Sequence, residues 1–171
     1  MLQRGLDVTA GIKGGGQEMG RRSGTENVVG IAGFGAAAAA AARDLDDGVW
    51  ERVAKLRNIL EKAIEARSKG IILVGKDVSR LPNTLCVIAP GWKGETQVMS
   101  MDLAGFAISA GSACSSGKVK SSRVLQAMGY NEDEASCAIR VSLGPENSEE
   151  EVLRFAEAWC SAYEKFRARA A

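Results

Sequence analysis

The chain has 171 residues, 46% of them hydrophobic and 25% charged, which is typical of a globular protein and excludes a disordered or fibrous one. Its 22 Lys and Arg residues balance 21 Asp and Glu residues, so the net charge favours neither nucleic acid nor an anionic membrane as a partner. The absence of histidine excludes Ser-His and Cys-His catalysis, and four widely spaced cysteines without a C-x-x-C pair exclude the usual zinc sites.

Residues 11–24 are a glycine-rich basic segment that cannot hold regular structure. Thr25 then offers a capping hydroxyl for an Ala-rich helix that we expect to end near Asp44. Loop amides, arginines and a helix N-terminus together favour an anion site, although a solvated basic loop explains the same residues. The apolar stretch at 31–42 is shorter than the roughly 20 residues that cross a bilayer.

In the rest of the chain, the spacing of apolar residues predicts four buried strands and four helices. The predicted strands are residues 71–74, 85–88, 106–109 and 137–143, and the helices are 49–68, 96–103, 121–128 and 148–167. This order predicts an α+β fold, in which a small sheet of about four strands is covered by helices and preceded by the Gly-rich loop and the long Ala-rich helix. With no leader and no need for a disulfide framework, we expect a cytoplasmic protein with reduced thiols and no membrane partner.

Cys114 lies among small residues, in the segment Ser109–Gly117 with the sequence SAGSACSSG. Serine hydroxyls and backbone N–H groups stabilise a thiolate in such a loop, so Cys114 is predicted to be a reactive nucleophile. The alternative is a half-buried structural cysteine. Cys86, Cys137 and Cys160 have bulky apolar neighbours instead and are predicted to be core thiols.

Arg140 stands in the middle of the apolar strand, between Ile139 and Val141. A guanidinium there is costly unless it is paired, and a carboxylate matches its bidentate geometry. Two explanations stay open at this point, a structural salt bridge or edge-strand arginine, and an arginine that opens into a pocket and binds a substrate carboxylate.

Three stretches, in their order and approximate spacing, resemble NifS/IscS-type cysteine desulfurases. They are GGGQEMGRRSGTEN at 14–27, SAGSACSSG at 109–117 followed by VLQAMG at 124–129, and IRVSLG at 139–144. The resemblance covers nearly the whole chain and corresponds to the C-terminal portion of such an enzyme. It implies that residues 1–45 end a large cofactor domain and that residues 46–171 form the small C-terminal domain of the aminotransferase fold, type I.

The resemblance also implies the chemistry. Such enzymes are homodimers that use pyridoxal 5'-phosphate to convert L-cysteine to L-alanine. Cys114 matches the nucleophile that keeps the sulfur as a persulfide, Arg140 matches the arginine that holds the substrate carboxylate, and Thr25 matches the threonine that reaches the cofactor phosphate of the other subunit. The persulfide passes to an iron–sulfur scaffold or another sulfur-acceptor protein, and Cys114 contacts a transient iron–sulfur cluster through that persulfide.

The family's cofactor-binding half, with its lysine, histidine and aspartate, corresponds to sequence upstream of this chain, and none of the lysines here lies in a matching motif. We therefore expect the chain alone to be inactive. Two other functions stay open. One is a non-catalytic module that accepts persulfide or binds a partner through Cys114, and the other is a phosphate or nucleotide binder that uses residues 14–25.

Overall fold

The structure, a computed structural model, describes residues 9–111 and 121–170. The chain divides into two units, Met1–Asp47 and Gly48–Ala171. The division falls close to the boundary predicted at 45/46. The assignment of the first unit to a large cofactor domain stays a prediction.

The described part of the first unit, residues 9–47, contains the glycine-rich loop and helix α1, Val28–Asp46. The loop contains one 3-10 turn at Gln17–Gly20, in which Glu18 and Met19 have positive φ angles of 51° and 57°, so the prediction of irregular structure is confirmed. The prediction of a Thr25 cap is wrong. Asn27 caps α1 instead, because its Oδ1 accepts a hydrogen bond from the Gly30 amide at 3.1 Å.

Helix α1 is longer than the apolar stretch at 31–42 from which we expected no membrane span. Its 19 residues are long and apolar enough to cross a membrane, with a mean hydropathy of 1.4, and none of that window is buried within the described structure. This is a statement of length and composition alone, since the core helix of a soluble protein passes the same test. The expectation of no membrane partner stays a prediction.

The second unit is built on a four-stranded antiparallel sheet in the order β1-β2-β4-β3. The strands are β1 (Ile72–Leu73), β2 (Thr84–Ile88), β3 (Ser109–Ala110) and β4 (Ala138–Ser142). The helices are α2 (Val49–Arg67), α3 (Gly94–Leu103), α4 (Arg123–Ala127), α5 (Glu132–Ser136) and α6 (Glu149–Ala170). The predicted α+β class with a small sheet covered by helices is confirmed.

Two elements differ from the prediction. Strand β3 does not include Phe106, because the Phe106 amide donates to the Met101 carbonyl at 2.9 Å to close α3, and its ring packs edge-on against Phe155. Helix α5 was not predicted. Its signal is a capping box in which Asn131 and Glu134 exchange side-chain and backbone hydrogen bonds.

The main core lies between one face of the sheet and the helices α2 and α6. Val53, Leu60 and Ile64 of α2 are fully buried there, as their helical spacing predicted. Gln97 is also fully buried. Its Nε2 donates to the Trp92 and Cys137 carbonyls at 2.8 and 2.9 Å, and its Oε1 accepts from the Trp159 indole at 3.1 Å.

Candidate functional site

Arg140 lies at the centre of the sheet. Strand β4 pairs with β2 on one side and β3 on the other, so Arg140 is not on an edge strand. Ile139 and Val141 are buried in the main core, and the alternation of strand residues places Arg140 on the opposite face, where its side chain is exposed. Among the described residues no carboxylate forms an ion pair with it, so neither the edge-strand nor the structural salt-bridge explanation fits.

Cys86 and Ser109 flank Arg140 on this face, because each is its Cα partner in a neighbouring strand. Cys86 is half-buried and packs against a cluster of buried apolar residues, so the prediction of a core thiol at this position is confirmed in part. Burial raises the pKa of the Cys86 thiol above its ordinary value, and the positive charge of Arg140 opposes this increase. The thiol beside the guanidinium is therefore neutral at neutral pH.

An apolar cluster covers the other half of the same face. Leu125 of α4 and Ala135 of α5 pack on Ile88 and Ala138, the pair of sheet residues next along from Cys86 and Arg140. Arg140 therefore lies at the edge of this apolar cluster, and its side chain is exposed to solvent. Such a position suits a small ligand that presents a carboxylate to Arg140.

Cys114 lies outside the described residues. On the N-terminal side of its segment, Ser109 of β3 is the Cα partner of Arg140. Ala110 ends β3, paired with Ile139, and Ser122 begins α4, with its hydroxyl accepting a hydrogen bond from the Leu125 amide at 3.3 Å. The strand that precedes the segment is therefore paired directly with the strand that carries Arg140.

Gly94 is a structural residue of this region that the sequence patterns did not single out. It is buried at the start of α3, and an added Cβ would lie 2.7 Å from the Ala138 carbonyl oxygen and 2.9 Å from the Cβ of Ala110. Since real Cβ atoms do not approach this closely, only glycine lets α3 lie against the ends of β4 and β3.

In the first unit, Arg22 organises the glycine-rich loop. Its guanidinium donates to the carbonyls of Gly24 and Thr25 at 3.1 and 2.8 Å and pairs with Glu18 at 2.9 Å. The Ser23 hydroxyl donates to the Gly15 carbonyl at 2.9 Å. Two of the groups from which we inferred an anion site are thus used within the loop.

Thr25 is exposed, and its hydroxyl makes no hydrogen bond to a described residue. Its hydroxyl can therefore donate one hydrogen bond to a phosphate group. Every lysine that the structure describes is exposed, so none of them has the enclosed setting in which a cofactor is held covalently. Taken separately, Thr25 of the first unit fits a contact to the phosphate of pyridoxal phosphate, and Arg140 of the second unit fits a contact to a substrate carboxylate.

Comparison with known proteins agrees with the motifs. Residues 8–155 match the family Aminotransferase class-V. A protein of Sinorhizobium fredii named "Cysteine desulfurase" is 40% identical over 155 residues, which cover 90% of this chain and 39% of the relative. "Cysteine desulfurase IscS 1" of Archaeoglobus fulgidus is 37% identical over 169 residues, 97% of this chain and 43% of the relative.

The fold has a similar counterpart among solved structures. A NifS-like protein from Rickettsia africae superposes with a TM-score of 0.79 at 34% identity, over 93% of this chain and 41% of that one. The resemblance inferred from the three motifs is confirmed by these matches. The chain spans about two fifths of the length of the relatives it matches.

Proposed function

Because the chain belongs to the aminotransferase class-V family, we propose that it forms the C-terminal part of a cysteine desulfurase. The observation that carries the proposal is the exposed Arg140 on a central strand, paired with Ser109 of β3, the strand that precedes the Cys114 segment. The names of relatives about 40% identical over most of the chain support the same activity. The proposed reaction converts L-cysteine to L-alanine and transfers the sulfur to Cys114.

In this reaction Arg140 binds the carboxylate of L-cysteine. Its planar guanidinium makes two parallel hydrogen bonds to the two carboxylate oxygens, which fixes the orientation of the amino acid on the sheet face. The neutral Cys86 thiol next to it brings no competing charge. Arg140 is thus proposed to orient the substrate, and its own charge does not change during the reaction.

Cys114 accepts the sulfur. Pyridoxal phosphate, when bound, supplies the electron sink that weakens the Cβ–S bond of the substrate. The Cys114 thiolate attacks the substrate sulfur, a new S–S bond forms as the Cβ–S bond breaks, and Cβ takes a proton to give L-alanine. Cys114 is left as a persulfide, which holds the sulfur in a form that can be transferred again.

Thr25 is proposed to donate its hydroxyl to the cofactor phosphate of the other subunit of a homodimer. Its exposure and its open hydroxyl support this contact. We further propose that the persulfide is handed to an iron–sulfur scaffold or another acceptor, with a transient cluster contact at Cys114, and that the protein works in the cytoplasm.

A chimeric enzyme tests the proposal. Residues 1–171 replace the corresponding C-terminal part of the Sinorhizobium fredii relative, and alanine and sulfide are measured after addition of L-cysteine and a reductant. We expect turnover, and we expect Cys114→Ala to abolish it. A chimera that folds and binds the cofactor but gives no turnover would contradict the proposal.

A non-catalytic, persulfide-accepting module is the second candidate. The exposure of every described lysine favours it for the chain in isolation. On that account the isolated chain shows no cofactor absorbance and releases no sulfide, but a persulfide donor still loads Cys114, as read by mass spectrometry. The phosphate or nucleotide binder is less favoured, because Arg22 and Ser23 are used inside the loop.

A further inference from the structure

A groove of about 480 Å³ runs between α3 and α6 on the second unit. Trp92 and Met101 at its base are almost completely buried, and Phe166 beside them is half-buried. The Trp92 and Phe166 rings stack at 5.6 Å between centroids. The base of the groove is therefore an ordered aromatic surface that can receive an apolar side chain.

The shape of the groove suits a length of polypeptide. On α6 its lining extends from Ala158 to Arg169, which corresponds to about 16 Å along the helix axis. It is open to solvent along the line between two helices. Grooves of this kind take an amphipathic segment whose apolar side chains point down between the helices.

The described charged residues that line the groove are both basic. Lys165 and Arg169 line it and are exposed, and neither forms an ion pair with a described residue. None of the described residues that line it carries a carboxylate. A pocket beside Phe106 adjoins the groove at Ala158 and Ser161, and Glu149, Glu150, Glu157 and Arg154 are the described charged residues that line it. The basic side chains of the α3–α6 groove therefore lie toward the C-terminal end of α6, and the acidic side chains of the adjoining pocket lie toward its N-terminal end.

We propose that the α3–α6 groove is a docking site for an acidic amphipathic segment of a partner protein. The segment places an apolar side chain against Trp92 and Phe166 and its carboxylates against Lys165 and Arg169. Opposite charges across the contact select an acidic partner and speed its encounter. Neither Arg140 nor Cys114 takes part in this contact. A test of the docking site is therefore independent of a test of the proposed desulfurase activity.

Binding of a defined peptide to the full 171-residue chain tests the site. The probe is a fluorescein-labelled amphipathic peptide of about 14 residues, with Leu and Phe at helical spacing and four Glu toward one end. Fluorescence anisotropy at low salt is expected to give a Kd on the order of 10 μM. Higher salt is expected to weaken binding, because it screens the exposed charges.

Matched variants distinguish an effect of the groove residues from an effect of the net charge of the chain. We expect Lys165→Glu combined with Arg169→Glu to weaken binding by about tenfold or more. The control, Lys55→Glu combined with Lys62→Glu on the exposed face of α2, changes the net charge equally and should stay within about twofold. Ala104→Trp, which fills the groove without changing charge, should abolish binding while the circular dichroism spectrum is retained.

Four results would overturn the docking site. They are equal binding of a peptide with Lys in place of Glu, equal weakening by the control pair, retained binding by Ala104→Trp, and self-association of the chain that the Lys165 and Arg169 changes abolish. The last result would mean that a second copy of the chain occupies the groove.

Discussion

The guanidinium of Arg140 and the thiol of Cys86 lie on the same face of the sheet, because the two residues are Cα partners in the antiparallel pairing of β2 and β4. Burial raises the pKa of the Cys86 thiol and the charge of Arg140 opposes that rise. The arginine proposed to bind the substrate therefore has a neutral neighbour. Two predictions concern this pair.

Replacing Arg140 should impair use of L-cysteine in the chimera. Arg140→Ala removes a charge-assisted bidentate contact, so kcat/KM should fall roughly a hundredfold, which corresponds to a loss of about 3 kcal/mol of transition-state stabilisation. Arg140→Lys should recover only part of the loss, since an ammonium cannot make the paired contact. Steady-state kinetics are compared with Arg123→Ala, which removes an exposed arginine of α4. Unchanged kinetics for Arg140→Ala would exclude it from substrate binding.

The four thiols should alkylate in a defined order. Cys114 is expected to react first and Cys86 slowly, while the buried Cys137 and Cys160 are protected until the chain unfolds. Because the Cys86 pKa is raised, its thiolate fraction at any given pH is below that of a free cysteine, and its labelling should increase only at higher pH. Arg140→Gln removes the opposing charge and should slow Cys86 further.

Iodoacetamide labelling at a series of pH values, followed by peptide mass spectrometry, measures this order. Labelling of Cys86 at neutral pH as fast as a free thiol would show that the site is more exposed than the pairing of β2 and β4 allows.

Gln97→Leu should destabilise the second unit by about 2–4 kcal/mol, because the indole N–H of Trp159 and the carbonyls of Trp92 and Cys137 lose their partner in a buried setting. Urea unfolding with an unchanged slope measures the loss. Gln126→Leu, on the exposed face of α4, is the matched control and should change the free energy of unfolding by less than about 0.5 kcal/mol. Equal effects of both changes would argue against the buried network.

Gly94→Ala should destabilise the fold by about 1–3 kcal/mol, since its Cβ meets the Ala138 carbonyl oxygen and the Ala110 side chain. In the chimera it should also slow persulfide formation on Cys114, because Ala110 leads into that segment. Gly33→Ala in α1 has open space around its Cβ and gains helix propensity, so it should be neutral or stabilising. A Gly94→Ala chain as stable as the parent would contradict the close approach.

Much of the fold could be predicted from local patterns. The buried positions of α2 follow from apolar residues at helical spacing, and the capping of α4 by Ser122 follows from its place before an apolar run. The third strand was misplaced because Phe106–Ile108 reads as a β-branched and aromatic run, whereas a bond from Phe106 to Met101 ends α3 there. The β-propensity of Phe106–Ile108 was therefore outweighed by the hydrogen bond that ends α3.

The three motifs are enough to identify the family, since three motifs in order are far more specific than any one, and they also identify Cys114, Arg140 and Thr25 as candidate site residues. The surroundings of Arg140, in contrast, follow from the tertiary fold. The strand order β1-β2-β4-β3 places Arg140 on a central strand, with its side chain exposed and the neutral thiol of Cys86 beside it. The physical reason is that partners across a sheet come from distant parts of the chain, so their pairing is set by packing of the whole unit and leaves no local pattern.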